Sequence, residues 1–293
     1  IDLLSPTAVD VTTGISQMTM NSANVTGRGF ELRVNSKILT GNLKLDIQFM
    51  LNHVTNKITR YNLQSSNKGS YVGSSGLSIL TIEGEDPYSI VSYRWGGLDA
   101  NSGDPIGYAG DTLSKNYSAI VNTTTWDNLV VSGTARPPFY GNVIPSVSWK
   151  GLSLSANVGY KFSYYFRRST INYSDLFNLW RGHQDYEKRW QKPGDEAFTS
   201  VPSLVYPANS NRDKFYNYSE ATVERADHIR LQDISINYQV DGRKNNLFKN
   251  AQLYLYINNP GILWRMNSPG LDPDYGFNIP SAISISCGVK ASF

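Results

Sequence analysis

Between Trp180 and Trp190 the chain carries its densest set of side chains able to hold a ligand: Trp180, Arg181, His183, Gln184, Asp185, Tyr186, Arg189 and Trp190. Aromatic faces stack on sugar rings, and guanidinium and carboxylate groups hydrogen-bond hydroxyls or peptide units. Trp180, Arg181, His183, Tyr186, Arg189 and Trp190 are therefore the candidate substrate-binding residues. The same residues can equally pack against one another as a structural loop.

Other chemistry finds little support. His53, His183 and His228 are scattered, and none has a second histidine three or four residues away as a zinc-binding helix would supply. The string from Asp99 to Asp104 superficially resembles a calcium loop, but the glycine and the bidentate glutamate that such a loop needs are replaced by Asp104 and Gly110. Asp272, Asp274 and Tyr275 offer a second calcium candidate, which reads more simply as loop shaping around Pro273. Neither a nucleophile elbow, a zinc-protease helix nor a phosphate loop is present. The expectation is no enzyme, no cofactor and no metal centre. A single cysteine, Cys287, excludes an internal disulfide, and a net charge of +3 without a Lys/Arg run excludes a nucleic-acid surface.

These residues must be positioned by strands. From Leu152 to Phe166, even positions read Leu152, Leu154, Ala156, Val158, Tyr160, Phe162, Tyr164 and Phe166, whereas odd positions are polar or small except Tyr165. Strict alternation puts one row on each face of a strand. At roughly 3.3 Å per residue such a strand would reach about 50 Å, far beyond the usual soluble strand. Alternation recurs at Phe30–Ile38, Leu43–Leu51, Ala251–Ile257 and Ile283–Phe293. The segment Ile229 to Val240 changes phase, and a β-bulge near Gln232-Asp233 would absorb the slip.

Connections fall into two kinds. Short ones lie at Thr40-Gly41 and Lys150-Gly151, a moderate one crosses Asp241 to Lys249, and Gly97 to Asp104 fits another tight turn. Long ones run over Arg60–Tyr88, Asp111–Pro138, Ser169–Thr222 and Asn259–Pro280, with a short helix expected near Tyr173–Arg181. Short turns at one end and long loops at the other suit an outer-membrane barrel. No apolar run is long enough for a transmembrane helix, so a membrane could be crossed only by closed strands. A soluble β-sandwich shares the alternation and is the runner-up. Five Asn-X-Ser/Thr triplets, at Asn24, Asn116, Asn122, Asn172 and Asn217, would suit a secreted form of it.

Several strings, in order, resemble those of the SusC/RagA-like family of TonB-dependent outer-membrane transporters. They are Gly29-Phe30-Glu31-Leu32; Tyr93 to Asp99 with Ser102-Gly103-Asp104-Pro105; Pro137 to Gly141 followed by Trp149 to Leu154; Arg189 to Glu196; Asp227 to Ile234; and Asn258-Asn259 with Leu263-Trp264 and Gly270 to Tyr275. Each is weak alone; their shared order carries the resemblance, which runs from about Gly27 to Phe293.

The resemblance implies an all-β chain: about eight to ten antiparallel strands forming the C-terminal portion of a transmembrane barrel of about 22, with long extracellular loops and short periplasmic turns. Residues 1–293 would be one segment of that barrel, with the plug, TonB box and signal peptide absent from this chain. It further implies nutrient import across the outer membrane of a Gram-negative bacterium, of oligosaccharides or peptides. The implied partners are a SusD-like surface lipoprotein, the TonB complex, the barrel-assembly machinery and outer-membrane lipid. The Trp180–Trp190 loop then becomes a substrate or lid contact. Phe293, closing the apolar row of the last strand, becomes a barrel-assembly signal. The alternative function is a secreted or surface β-sandwich module binding carbohydrate or protein.

Overall fold

The computed structural model describes residues 2–8, 12, 14, 17–61, 68–74, 76, 78–241, 250–276 and 278–292. The chain opens with strands β1 (Asp2–Ala8), β2 (Gln17–Thr40) and β3 (Leu43–Tyr61). Then come helix α1 (Gly69–Ser74), strands β4 (Ser89–Tyr93), β5 (Gly107–Ala109) and β6 (Thr112–Ser114), helix α2 (Tyr117–Asn122) and strand β7 (Leu129–Thr134). Strands β8 (Phe139–Trp149), β9 (Leu152–Phe162) and β10 (Tyr165–Arg167) precede helices α3 (Tyr173–Leu179) and α4 (Ser210–Asn217). The last strands are β11 (Val223–Arg225), β12 (His228–Asp241), β13 (Asn250–Arg265) and β14 (Ser284–Ser292). Eight of them are hydrogen-bonded in the order β1-β2-β3-β8-β9-β12-β13-β14, and every pairing with a described register is antiparallel.

The chain divides into two units built from alternating segments. Arg28–Val54, Pro137–Tyr164 and Arg225–Phe293 make a sheet unit; Ile1–Gly27, Thr55–Arg136 and Tyr165–Glu224 make a loop unit.

In the sheet unit, the alternation read from the sequence becomes two chemically distinct faces. Directly paired residues share a face, so one row crosses six strands as Leu43, Trp149, Leu152, Tyr238, Leu253 and Val289. The neighbouring row of the same face reads Leu45, Val147, Leu154, Ile236, Leu255 and Cys287. The opposite face reads Lys44, Ser148, Ser153, Asn237, Tyr254 and Gly288, then Asp46, Ser146, Ser155, Ser235, Tyr256 and Ser286. Its polar groups bond across strands: Ser148 with Ser153 at 3.0 Å, Asn142 to Asn157 at 3.2 Å, and Asn157 to Asp233 at 3.1 Å. Among the described residues no layer covers the apolar rows: Trp149 is 51% exposed, Leu154 45% and Val289 69%.

Local devices hold the register. Lys150 and Gly151 both have positive φ, 45° and 87°, as a two-residue turn joining twisted strands requires. The bulge expected near Gln232-Asp233 is present: the register of β12 slips between Leu231 and Asp233 against both β9 and β13. Room for the Gln232 side chain comes from Gly159, where a Cβ would collide with it.

The loop unit has its own core. Tyr71, Val72, Leu80, Val91, Tyr93, Tyr117, Ile120, Val121 and Phe215 form one cluster. Ile171, Tyr173, Val201 and Tyr216 form a second. Arg167 joins its segments, donating to the Val91 and Ser219 carbonyl oxygens at 2.9 and 3.0 Å and to the hydroxyls of Ser92 and Thr222. Arg212, almost wholly buried, donates to Asp104 at 3.0 Å and to the Ser203 carbonyl oxygen at 2.9 Å. Asn116 and Asn172, both in glycosylation triplets, spend their side-chain oxygens capping α2 and α3.

Three boundaries differ from the sequence reading. The long strand stops at Phe162 rather than Phe166, because Ser163 adopts φ 67° and its N–H is captured by the Asp227 carboxylate. The tight turn at Gly97–Asp104 exists, with Asp99 N–H donating to the Asp104 carbonyl oxygen at 2.8 Å. It belongs to the excursion between β3 and β8, however, and so joins no two strands of the large sheet. Strand β13 continues past Asn259 to Arg265, since Asn259 at φ 55° and Gly261 at φ 134° let it bend without ending. The expected short helix is α3. The connection within 242–249 and Phe293 lie outside the described residues.

Candidate functional site

The proposed ligand loop is organised by what precedes it. Asn172 accepts from the Asp175 N–H at 3.0 Å and starts α3. Trp180 ends that helix in the left-handed conformation, φ 56°, leaving its side chain 91% exposed. Arg181 is also exposed. His183 turns back: its Nδ1 accepts from the Asp185 N–H at 3.1 Å, so a neutral ring carries its proton on Nε2, 3.3 Å from the Ser169 hydroxyl. Burial lowers the His183 pKa, against the pull of the Asp185 carboxylate. Asp185 is buried between Arg168 at 2.5 Å and the Thr170 hydroxyl at 2.8 Å.

Tyr186 packs on the second core cluster, and the Arg189 guanidinium lies 4.1 Å above its ring while donating to the Tyr186 carbonyl oxygen at 2.8 Å. Trp190 is buried, its indole N–H donating to Glu196 at 3.0 Å. Its ring fills the space that a side chain at Gly103 would need. The structure thus brings Tyr186, Arg189 and Trp190 into packing roles, holds His183 in the loop's own hydrogen bonds, and leaves Trp180 and Arg181 facing outward.

The sheet unit holds a second constellation, which the sequence reading did not assemble. His228 on β12 sits opposite Lys161 on β9, and Arg230 lies two residues further along, so all three share the polar face. The segment after β13 folds onto them. Asn267 fixes it by exchanging two hydrogen bonds with the Leu271 backbone, at 2.8 and 3.0 Å. Asp272 then takes a two-pronged contact from Arg230 at 2.5 Å. Asp274 receives Lys161 at 2.6 Å and lies 3.2 Å from His228 Nε2 and 3.3 Å from Arg230 Nε. Burial alone would raise the Asp274 pKa; hydrogen bonds from His228 and Lys161 outweigh it and hold the carboxyl far below the usual carboxylate range. The polar row had placed Lys161 in sequence, but nothing local in the chain linked it to a carboxylate over a hundred positions away.

Of the two calcium candidates, Asp99 accepts from the Asn101 and Ser102 N–H groups and from Lys115, and Asp272 and Asp274 are taken by cations. Among the described residues, no three His, Cys, Asp or Glu side chains are grouped as a metal would need.

Fold and sites together define an antiparallel β-sheet protein with one apolar and one charged, hydrogen-bonded face. No family model and no curated protein sequence matches the chain. Solved structures do. The fold is similar to structures described as the RagAB peptide transporter (TM-score 0.70, 18% identity) and the RagAB peptide importer in its open-open state (0.70, 19%) and closed-closed state (0.69, 18%). The similarity covers 100% of this chain and 32%, 31% and 32% of those chains, so this chain spans about a third of their length. At such identity the likeness is one of fold. These neighbours are transporters, not enzymes.

Proposed function

We propose that this chain is wall: the C-terminal segment of the β-barrel of a SusC/RagA-like, TonB-dependent importer in the outer membrane of a Gram-negative bacterium. One observation carries the reading. Across six paired strands the apolar rows run uninterrupted and exposed, while the opposite rows are polar and cross-bonded. In water such a face is an aggregation hazard; in a bilayer it is the lipid-facing wall, with the polar face toward the lumen. Strands β8 and β9, 11 residues each, match the length a tilted membrane strand needs.

On this reading the loop Ser169–Thr222 is extracellular, and the two-residue turn at Lys150-Gly151 periplasmic. The substrate is a peptide or an oligosaccharide, with peptide favoured by the description of the similar structures. A SusD-like lipoprotein covers the extracellular end, and Trp180 and Arg181 are the loop residues placed to meet it or the substrate. TonB and the barrel-assembly machinery engage the complete protein.

Thiol probes test the wall. With Cys287 replaced by Ser, a cysteine at Val158 should be labelled by lipid-soluble reagents only, and one at Asn157 by water-soluble reagents. Equal labelling of the two by both reagents would sink the proposal.

A further inference from the structure

The polar face of the sheet unit encloses a cavity of about 210 Å³ walled by Asn52, Asn142, Lys161, Arg230, Gln232 and Asp274. Gly141 and Gly159 border it.

Its hydrogen-bonding capacity is not used up internally. Lys161 spends one N–H on Asp274, and no described residue takes its other two. Arg230 is committed, its terminal nitrogens directed to Asn259 and Asp272 and its buried Nε lying 3.3 Å from Asp274, so it offers nothing to a ligand. On the acceptor side, Asn52 and Asn142 donate through their amide nitrogens, to the Tyr140 carbonyl oxygen and to Asn157, and no described residue donates to either side-chain oxygen. The charges are already balanced, with Asp272 and Asp274 facing Arg230 and Lys161. A charged ligand would have to break one of these pairs, so the matching ligand is neutral and both donates and accepts. One peptide unit meets that description: its carbonyl oxygen accepts from Lys161, and its N–H donates to Asn52 or Asn142.

We infer that this cavity is a binding subsite for a neutral peptide unit on the polar wall. The inference rests on the reading that this face lines the passage, and it names a position there at which a peptide substrate pauses.

The test uses the full-length protein in detergent, titrated calorimetrically with acetyl-trialanine methylamide, which carries no charge, and in parallel with maltotriose. The peptide should bind, and Asn52→Ala and Asn142→Ala should each weaken it by ~10-fold, the scale of one lost hydrogen bond. Gln232→Ala, at a wall residue other than Lys161, Asn52 and Asn142, should change affinity less than either, and heat-modifiable mobility on gels checks that all three variants are folded. Binding unchanged in both Asn variants, no peptide binding at millimolar concentration, or binding of the trisaccharide in place of the peptide would each overturn the inference. The thiol labelling of Val158 and Asn157 separates the two claims: if it fails while the peptide result holds, the wall reading falls and the subsite stands.

Discussion

Tyr160 donates its hydroxyl to the Met50 carbonyl oxygen at 2.7 Å by lying across Gly141, which stands between them in the sheet. Its ring stacks on Phe49 and Phe162, at centroid distances of 6.3 and 5.6 Å. A Cβ at Gly141 would stand 2.6 Å from that hydroxyl and collide with the Met50 carbonyl oxygen. Gly141→Ala should therefore expel the ring and destabilise the sheet by about 1–3 kcal/mol, the usual scale for overpacking. Tyr160→Phe keeps the stacking and should cost only about 1 kcal/mol. Folded fraction in a urea series measures both, and a tolerated Gly141→Ala would show that the ring is not seated there.

In the loop unit, Tyr93 is fully buried and its hydroxyl makes no hydrogen bond with a described residue. Burial pushes its pKa up to about 12, Tyr218 adding to the rise and Arg167 opposing it. A raised folded pKa means that the folded state holds the proton more tightly. The stability tied to this group is present below pH ~10, where an unfolded tyrosine titrates, and is lost as pH climbs toward the folded value. Tyr93→Phe removes that loss together with an unpaired buried hydroxyl. The variant should be at least as stable as the parent at pH 8 and more stable above pH ~10; a drop in Tm at pH 8 would mean that the hydroxyl has a partner.

The Asp274 carboxyl has the opposite sign. Held below its ordinary value, it favours the folded loop above the pKa of an unfolded aspartate, about 4, and that contribution fades only as pH falls further. Hydrogen exchange over residues 266–276 should be flat between pH 5 and 8 after correction for intrinsic rates. Asp274→Asn should raise exchange there at every pH, because Lys161 and His228 lose their shared anion while Asp272 still holds Arg230. Exchange equal in variant and parent would assign the loop's order to Asn267 and the Asp272–Arg230 pair.

Much of the sheet was legible because period two is a direct statement about faces: Leu152 to Phe162 needed no neighbour to be read. The Gln232 bulge was visible as a phase slip for the same reason. The end at Ser163 was not, because it depends on the Asp227 carboxylate, 64 positions away. Nor could sequence show that the Gly97–Asp104 turn is packed by Trp190 and tied by Arg212. Of the two sites, the Trp180 loop was conspicuous by composition alone. The Lys161, His228 and Asp274 cluster could not be assembled, since Asp274 drew notice only as a calcium candidate and two strands and a loop must converge before the three meet.

That conspicuous loop yields the sharpest contrast. Trp180 and Trp190 are chemically identical and ten positions apart, yet one is 91% and the other 8% exposed. Trp190 is bonded to Glu196 and seated on Gly103, so Trp190→Ala should open a cavity and cost about 3–5 kcal/mol, with loss of the loop's protease resistance. Trp180 contributes no such packing and sits at positive φ, a conformation that costs a non-glycine residue about 1 kcal/mol. Trp180→Gly should thus leave Tm unchanged or slightly higher while removing an exposed aromatic face. If that face meets a substrate or a partner, the variant should bind it at least ~10-fold more weakly at full folded level, because aromatic anchors dominate such contacts. A folded Trp180→Gly protein with unaltered uptake and unaltered partner capture would remove Trp180 from the functional surface and leave the loop as packing.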